Sequence, residues 1–383
     1  MWQSLHVVSL PKRRVLSALR LEEIREQMKG NLGGTRPELF RDPDAAHRSR
    51  FCVGGVSVQL GGDHEADVAL VPSLEPFRAE AGFSDIHIRV ERVANLSPAS
   101  GRQLFDSGST WELHEGESGF EFDFNAAIFG NRSFKRLLID ARFQDATLQM
   151  NEECLAGYSH TVEPLGYPLD ELLIMHRLTQ EKAIELHGCG IVRANGAGNL
   201  FVGHSGAGKS TTTRLWTEVE DVEILSDDRI IVRRHELGDA EPEGTTAKTL
   251  FGAADAGDGK GILRLRDCSA SRTNHSAQDD KKKSGMRMYG TPWHGEAMYA
   301  SPGSAPLARI FILEHGQGNV ITPLSPSQAV AELFARSFVP FHRHEYVASA
   351  LTFLQEVVDA VPVYRYAFEP DQRAVDTILN FHD

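Results

Sequence analysis

Eight consecutive residues constrain this chain more than any other feature. Gly203, His204, Ser205, Gly206, Ala207, Gly208, Lys209 and Ser210 spell a glycine, four residues, then Gly-Lys-Ser. Strand-like Asn199 to Val202 precedes them and a helical stretch from Ser210 to Glu218 follows. Such a loop works only where a strand passes into a helix. Its glycines let backbone amides wrap a phosphate closely, and the helix N-terminus adds positive charge. Lys209 is then expected to reach the β- and γ-phosphates, Ser210 to ligate Mg²⁺, and Thr211 to extend the nucleotide-binding segment. The pattern is specific for a nucleoside triphosphate but not for a reaction, since binding, hydrolysis and transfer all use it.

The rest of the 383 residues leaves room for two or three domains. From Phe51 to Met150 the pattern is two-periodic: Ile86, Ile88 and Val90 alternate with polar residues, as do Phe120, Phe122 and Phe124 with Glu121 and Asp123. This predicts half-buried antiparallel strands and a β-rich domain over residues 51–163, in which no group suggests catalysis. Beyond Pro164 helical and strand patterns mix, with strands expected at Ile184 to Val192, Val222 to Leu225, Ile230 to Val232 and Ala308 to Leu313. Helices are expected at Ser325 to Phe338, Glu345 to Ala360 and Asp371 to Phe381. Residues 164–383 therefore read as an α/β nucleotide-binding domain. Between His235 and Gly285 only six large apolar side chains stand against 17 charges, too few to offset ordering entropy. That span, 235–285, is expected to be a disordered insertion, or a lid or docking arm with Lys281, Lys282 and Lys283 at its tip. Residues 1–50 read as a basic helical lead-in; the acid-free start with Lys12, Arg13, Arg14 and Arg20 resembles a transit peptide, until Glu22, Glu23 and Glu26 break the pattern.

Charge and cysteine usage narrow the partners. A formal net charge of −13 disfavours nucleic acid and anionic membrane, and no apolar run reaches the length of a membrane helix. Cys52, Cys154, Cys189 and Cys268 are too scattered for a zinc ribbon or a disulfide framework, which points to the reducing cytoplasm.

What separates transfer from mere binding lies downstream, in Val222-Glu-Ile-Leu-Ser-Asp227-Asp228-Arg-Ile-Ile-Val232. One acid at a strand's end suffices for magnesium, so a second adjacent acid suggests a base: Asp227 to face the metal and Asp228 the acceptor hydroxyl. His187, in the strand before the loop, is a candidate to polarise the γ-phosphate or tune the base.

In this order and spacing, His187-Gly, Gly203 to Ser210 and Asp227-Asp228 resemble the catalytic domain of HPr kinase/phosphorylase, whose phosphate loop is related to that of phosphoenolpyruvate carboxykinases. Tyr289-Gly-Thr-Pro-Trp-His-Gly-Glu296 and Ala300 to Leu307 resemble HPr-kinase-like proteins, so the resemblance covers roughly residues 165–383. It implies a P-loop kinase fold, His187 and Lys209 as active-site residues, Asp228 as proton acceptor and Ser210 as magnesium ligand. The Arg-Gly-rich segment in which HPr kinases carry a magnesium glutamate is not recognisable, and Glu296 stands as its substitute.

The function expected is an ATP-dependent kinase acting on a serine or other hydroxyl of a small protein, a peptide or a small molecule. Homo-oligomers are compatible with this, and neither nucleic acid nor membrane is an expected partner. The alternative from another class is a non-catalytic, nucleotide-gated binding or regulatory module; carboxykinase chemistry would need an oxaloacetate site that the sequence does not display. His342-Arg-His344 has metal-like spacing without further ligands, and Trp293 with His294 suggests either a fixed loop over the site or a core anchor.

Overall fold

The computed structural model describes residues 45–235 and 285–382, apart from 81, 131, 157 and 159–161. The lead-in therefore lies outside the described residues except at its end, where strand rather than helix opens at His47. The insertion also lies outside them except for its two ends, which meet: the His235 amide donates to the Gly285 carbonyl at 2.6 Å.

The first sheet has eight strands: β1 (His47–Val53), β2 (Val56–Gly62), β3 (Ile86–Val93), β4 (Arg102–Asp106), β5 (Trp111–Glu115), β6 (Gly119–Asn125), β7 (Ser133–Asp140) and β8 (Asp145–Asn151). Their order is β1-β2-β3-β8-β7-β6-β5-β4. The sheet is mixed rather than antiparallel throughout, because β3 runs parallel to both β2 and β8. The long segment joining β2 to β3 makes that crossover feasible, where a tight hairpin could not. The alternation in β6 holds for Phe120, Phe122 and Phe124, yet Glu121 and Asp123 are buried as well. Arg136 on β7 explains the departure, pairing with Glu121 at 2.8 Å and Asp123 at 2.6 Å so that both faces of the strand are covered.

Helix α1 (Leu169–Leu178) leads into β9 (Ala183–Val192) and β10 (Gly198–Val202), then α2 (Lys209–Trp216), β11 (Glu223–Ser226), β12 (Arg229–Arg234), β13 (Met286–Tyr289), β14 (Ser304–His315) and β15 (Val320–Pro323). After these come α3 (Pro326–Phe334), β16 (Ser337–Phe338), α4 (His344–Ala360), β17 (Val363–Phe368) and α5 (Gln372–Leu379). The path β10-β9-β12-β13-β14 closes on itself through a parallel β10–β14 pairing, a small barrel from which β17 and β15 extend. These are mixed sheets with few helices rather than a plain strand-helix alternation. The helix expected over Ser325 to Phe338 stops at Phe334, because Ser337 and Phe338 pair instead with Leu186 and Glu185 of β9. The two halves share apolar packing: Leu169, Leu173 and Ile174 of α1, with Ile231 and Trp293, bury against the Phe51, Val58 and Phe122 side of the first sheet.

Candidate functional site

Strand β9 gathers the site, because its partners bring three remote stretches beside His187. Val202 pairs with Gly188, so the loop leaves β10 next to His187, and the Gly203 amide donates to the His187 carbonyl at 3.1 Å. On the other side Arg229 lies opposite His187, and the Gly188 amide donates to the Asp228 carbonyl at 3.1 Å. The His187 amide in turn donates to Arg336 at 2.8 Å.

The loop has the backbone that its glycines allow. Gly206 and Gly208 have φ of +82° and +101°, values L side chains rarely adopt, and a Cβ at Gly206 would meet open space. Helix α2 starts directly at Lys209, leaving its first-turn amides without intrahelical acceptors. His204, Ser205 and Gly206 are exposed, Ala207, Gly208, Ser210 and Thr211 half-buried. Lys209 is buried and curls back on its own loop, donating to the carbonyls of Gly203 at 3.1 Å and His204 at 3.2 Å. Burial holds its ammonium below the ordinary lysine range, against the opposing pull of Asp228. The Ser210 hydroxyl makes no hydrogen bond among the described residues, which leaves it available as a ligand.

Asp228 faces this loop. Its Oδ1 lies 2.9 Å from His187 Nε2, and Oδ2 accepts from Arg229 Nη1. Burial pushes its carboxyl up, but the His187 hydrogen bond and the charges of Arg229 and Lys209 outweigh that and hold it below the ordinary range. Burial likewise lowers His187, with Lys209 and Arg229 adding to the effect and Asp228 opposing it. The pair therefore rests as an ionised carboxylate and a neutral imidazole.

Asp227 does not join them. It is 1% exposed, and its carboxylate accepts the amides of Gly295 at 2.9 Å, Ala297 at 2.8 Å and Tyr299 at 3.3 Å. The carboxylate expected to face the metal here clamps the loop after Trp293. Glu296 rides on that loop, exposed, and makes no hydrogen bond or ion pair among the described residues. Trp293 is a core anchor, its indole donating to Asp170, while His294 is exposed. His342 and His344 diverge: His342 stacks on His176 at 5.2 Å and His344 pairs with Glu345. Among the described residues no three His, Cys, Asp or Glu side chains form a metal-binding group, and Cys52, Cys154 and Cys189 are free thiols. No helix among them is long and apolar enough to cross a membrane.

Sequence reading missed the support behind Asp228. Arg229 reaches Glu171 of α1 at 2.9 Å and Glu185 of β9 at 3.5 Å, and lies 4.0 Å over the Phe338 ring. The signal available was an arginine directly after the acid pair, which alone does not reveal partners 44 and 58 residues upstream. A scan against protein-family models finds no matching family, and a search of the curated proteins finds no match.

Proposed function

We propose that this chain is an ATP-dependent phosphotransferase that moves a γ-phosphoryl group to the hydroxyl of a small protein, a peptide or a small molecule. The observation that supports this best is the seat of His187 on β9, between Gly203 at the start of the phosphate loop and the Asp228 carboxylate. A loop for the triphosphate and an acid–imidazole pair for the hydroxyl proton are the two parts that such a transfer needs. The loop amides and Lys209 would hold the phosphates; Lys209 would exchange its bonds to the Gly203 and His204 carbonyls for phosphate oxygens. Ser210 would hold Mg²⁺, which when bound neutralises charge on the phosphates. The His187–Asp228 pair would take the hydroxyl proton as the acceptor oxygen attacks phosphorus.

The test is nucleotide-dependent stability. ATP with Mg²⁺ at a hundredfold excess over its dissociation constant should stabilise the folded protein by about 2.7 kcal/mol, and Lys209→Ala should lose most of that. A melting temperature indifferent to millimolar nucleotide would end this reading. Labelling with [γ-³²P]ATP in lysate of the source organism then reports the acceptor.

A further inference from the structure

The hydroxyl proton has two destinations in this site, and their surroundings differ. Asp228 uses both carboxylate oxygens already, one for His187 and one for Arg229. Arg229 is not free to release it, being fixed by Glu171 at 2.9 Å and by its stack on Phe338. A carboxylate that is ionised, doubly donated to and close to two cations is a weak proton acceptor. His187 differs in geometry. An ionised carboxylate only accepts, so the proton between the two side chains sits on His187 Nε2. Nδ1 then carries the lone pair. It has no protein partner among the described residues, it is not a sealed-off buried atom, and the side chain keeps 21% of its surface exposed. Burial, with the charges of Lys209 and Arg229 adding to it, holds the His187 ring below the ordinary histidine range, so the resting imidazole is neutral.

We propose that His187 Nδ1, rather than Asp228, accepts the proton of the incoming hydroxyl, and that Asp228 is a positioning residue that fixes the tautomer and stabilises the imidazolium. The proposal rests on the phosphotransferase reading. The acceptor's O–H bond breaks and its proton goes to Nδ1; its oxygen bonds to the γ-phosphorus. The bond from that phosphorus to the bridging oxygen breaks, and ADP leaves with the electron pair. The imidazolium then returns its proton to solvent. Asp228 stays ionised throughout, held by Arg229.

Two measurements on the full chain test this. The first is ¹⁵N NMR of histidine-labelled protein at pH 7, with the His187 signals assigned by their loss in His187→Gln. The expected state is neutral, protonated at Nε2 and bare at Nδ1; a proton on Nδ1 overturns the assignment. The second is slow hydrolysis of ATP with Mg²⁺, water serving as acceptor. His187→Gln and His187→Asn should each lose roughly 10²–10⁴-fold, the ordinary worth of a general base, while still showing the nucleotide-induced thermal shift that certifies their fold. Asp228→Asn should lose no more than the His187 variants, and its loss should go with a change of the His187 tautomer in the ¹⁵N spectrum, because the amide can donate to Nε2 and leave the proton on Nδ1. A deeper loss in Asp228→Asn than in the His187 variants returns the proton to Asp228. Wild-type protein that binds nucleotide without hydrolysing it overturns the proposal too, because a bare base beside the γ-phosphate would activate water. Wild-type protein that binds no nucleotide removes the phosphotransferase reading itself, and this assignment with it.

Discussion

The indole Nε1 of Trp293 donates a 2.9 Å hydrogen bond to Asp170 Oδ2, with both side chains buried. That contact ties the loop held by Asp227 to helix α1. Burial pushes the Asp170 carboxyl up to about 6, and the Trp293 bond opposes without cancelling it. The folded state therefore keeps a proton that the unfolded chain releases near 3.8. Its stabilising contribution is complete below 3.8 and is lost as pH rises through about 6.

Asp170→Asn carries no charge at any pH and still offers an acceptor to Trp293. The fall in stability between pH 4 and pH 7 should shrink by about 2 kcal/mol, most of the free-energy equivalent of that difference in affinity for the proton. Urea unfolding at the two pH values measures it. An unchanged fall would place the proton elsewhere.

Asp227 supplies the second prediction. Its three amide partners belong to residues 295–299, so Asp227→Ala should free that loop at a cost of roughly 1.5–3 kcal/mol for each well-formed bond to the carboxylate. Limited proteolysis should open a cut near His294 to Met298. Extra Mg²⁺ should not restore the wild-type pattern; if it did, Asp227 would be a metal acid after all.

The two roles of the acid pair show how far the sequence could be read. The phosphate loop was legible because its glycine spacing is dictated locally, by the φ values of +82° and +101° that Gly206 and Gly208 adopt. Strands such as Ile86 to Val90 were legible from their alternation, but their parallel pairing was not, since register is a property of the partner. Asp227 and Asp228 look equivalent in sequence. Their different employment is set by Gly295 to Tyr299 on one side and by His187 and Arg229 on the other. No local periodicity encodes such distant contacts, and the same holds for the end of α3, where β9 claims Ser337 and Phe338.

The third prediction compares the two glycines. A Cβ at Gly206 meets nothing within 4 Å, whereas one at Gly208 would lie 2.6 Å from the Phe368 ring. Gly206→Ala should cost only the backbone term, about 1–2 kcal/mol, and Gly208→Ala that term plus the clash. In a Phe368→Leu background the two glycine substitutions should cost nearly the same in thermal unfolding. Equal costs for the two single variants would mean that Phe368 yields freely.

Behind Asp228, one guanidinium serves three carboxyls: Arg229 contacts Asp228, Glu171 and Glu185. One cation cannot hold three anions that are largely withdrawn from water, and the least solvated acid gives up its charge. Glu185 is 0% exposed, and burial first, then the neighbouring Glu171 charge, pushes its carboxyl well above the ordinary range. Its proton stabilises the fold fully below pH 4.5, and the benefit is lost as pH rises toward the raised value. Glu185→Gln copies the neutral acid, so at pH 7 the variant should be as stable as wild type or more so, with a flatter dependence on pH. Glu171→Gln removes the carboxylate at 2.9 Å from Arg229 and should cost about 3 kcal/mol, as expected for breaking one side of a buried pair. Urea unfolding at pH 5 and pH 8 separates the two. If Glu185→Gln proved as costly as Glu171→Gln at both, Glu185 would be ionised and paired, and the proton that balances this cluster would have to sit on Glu171 instead.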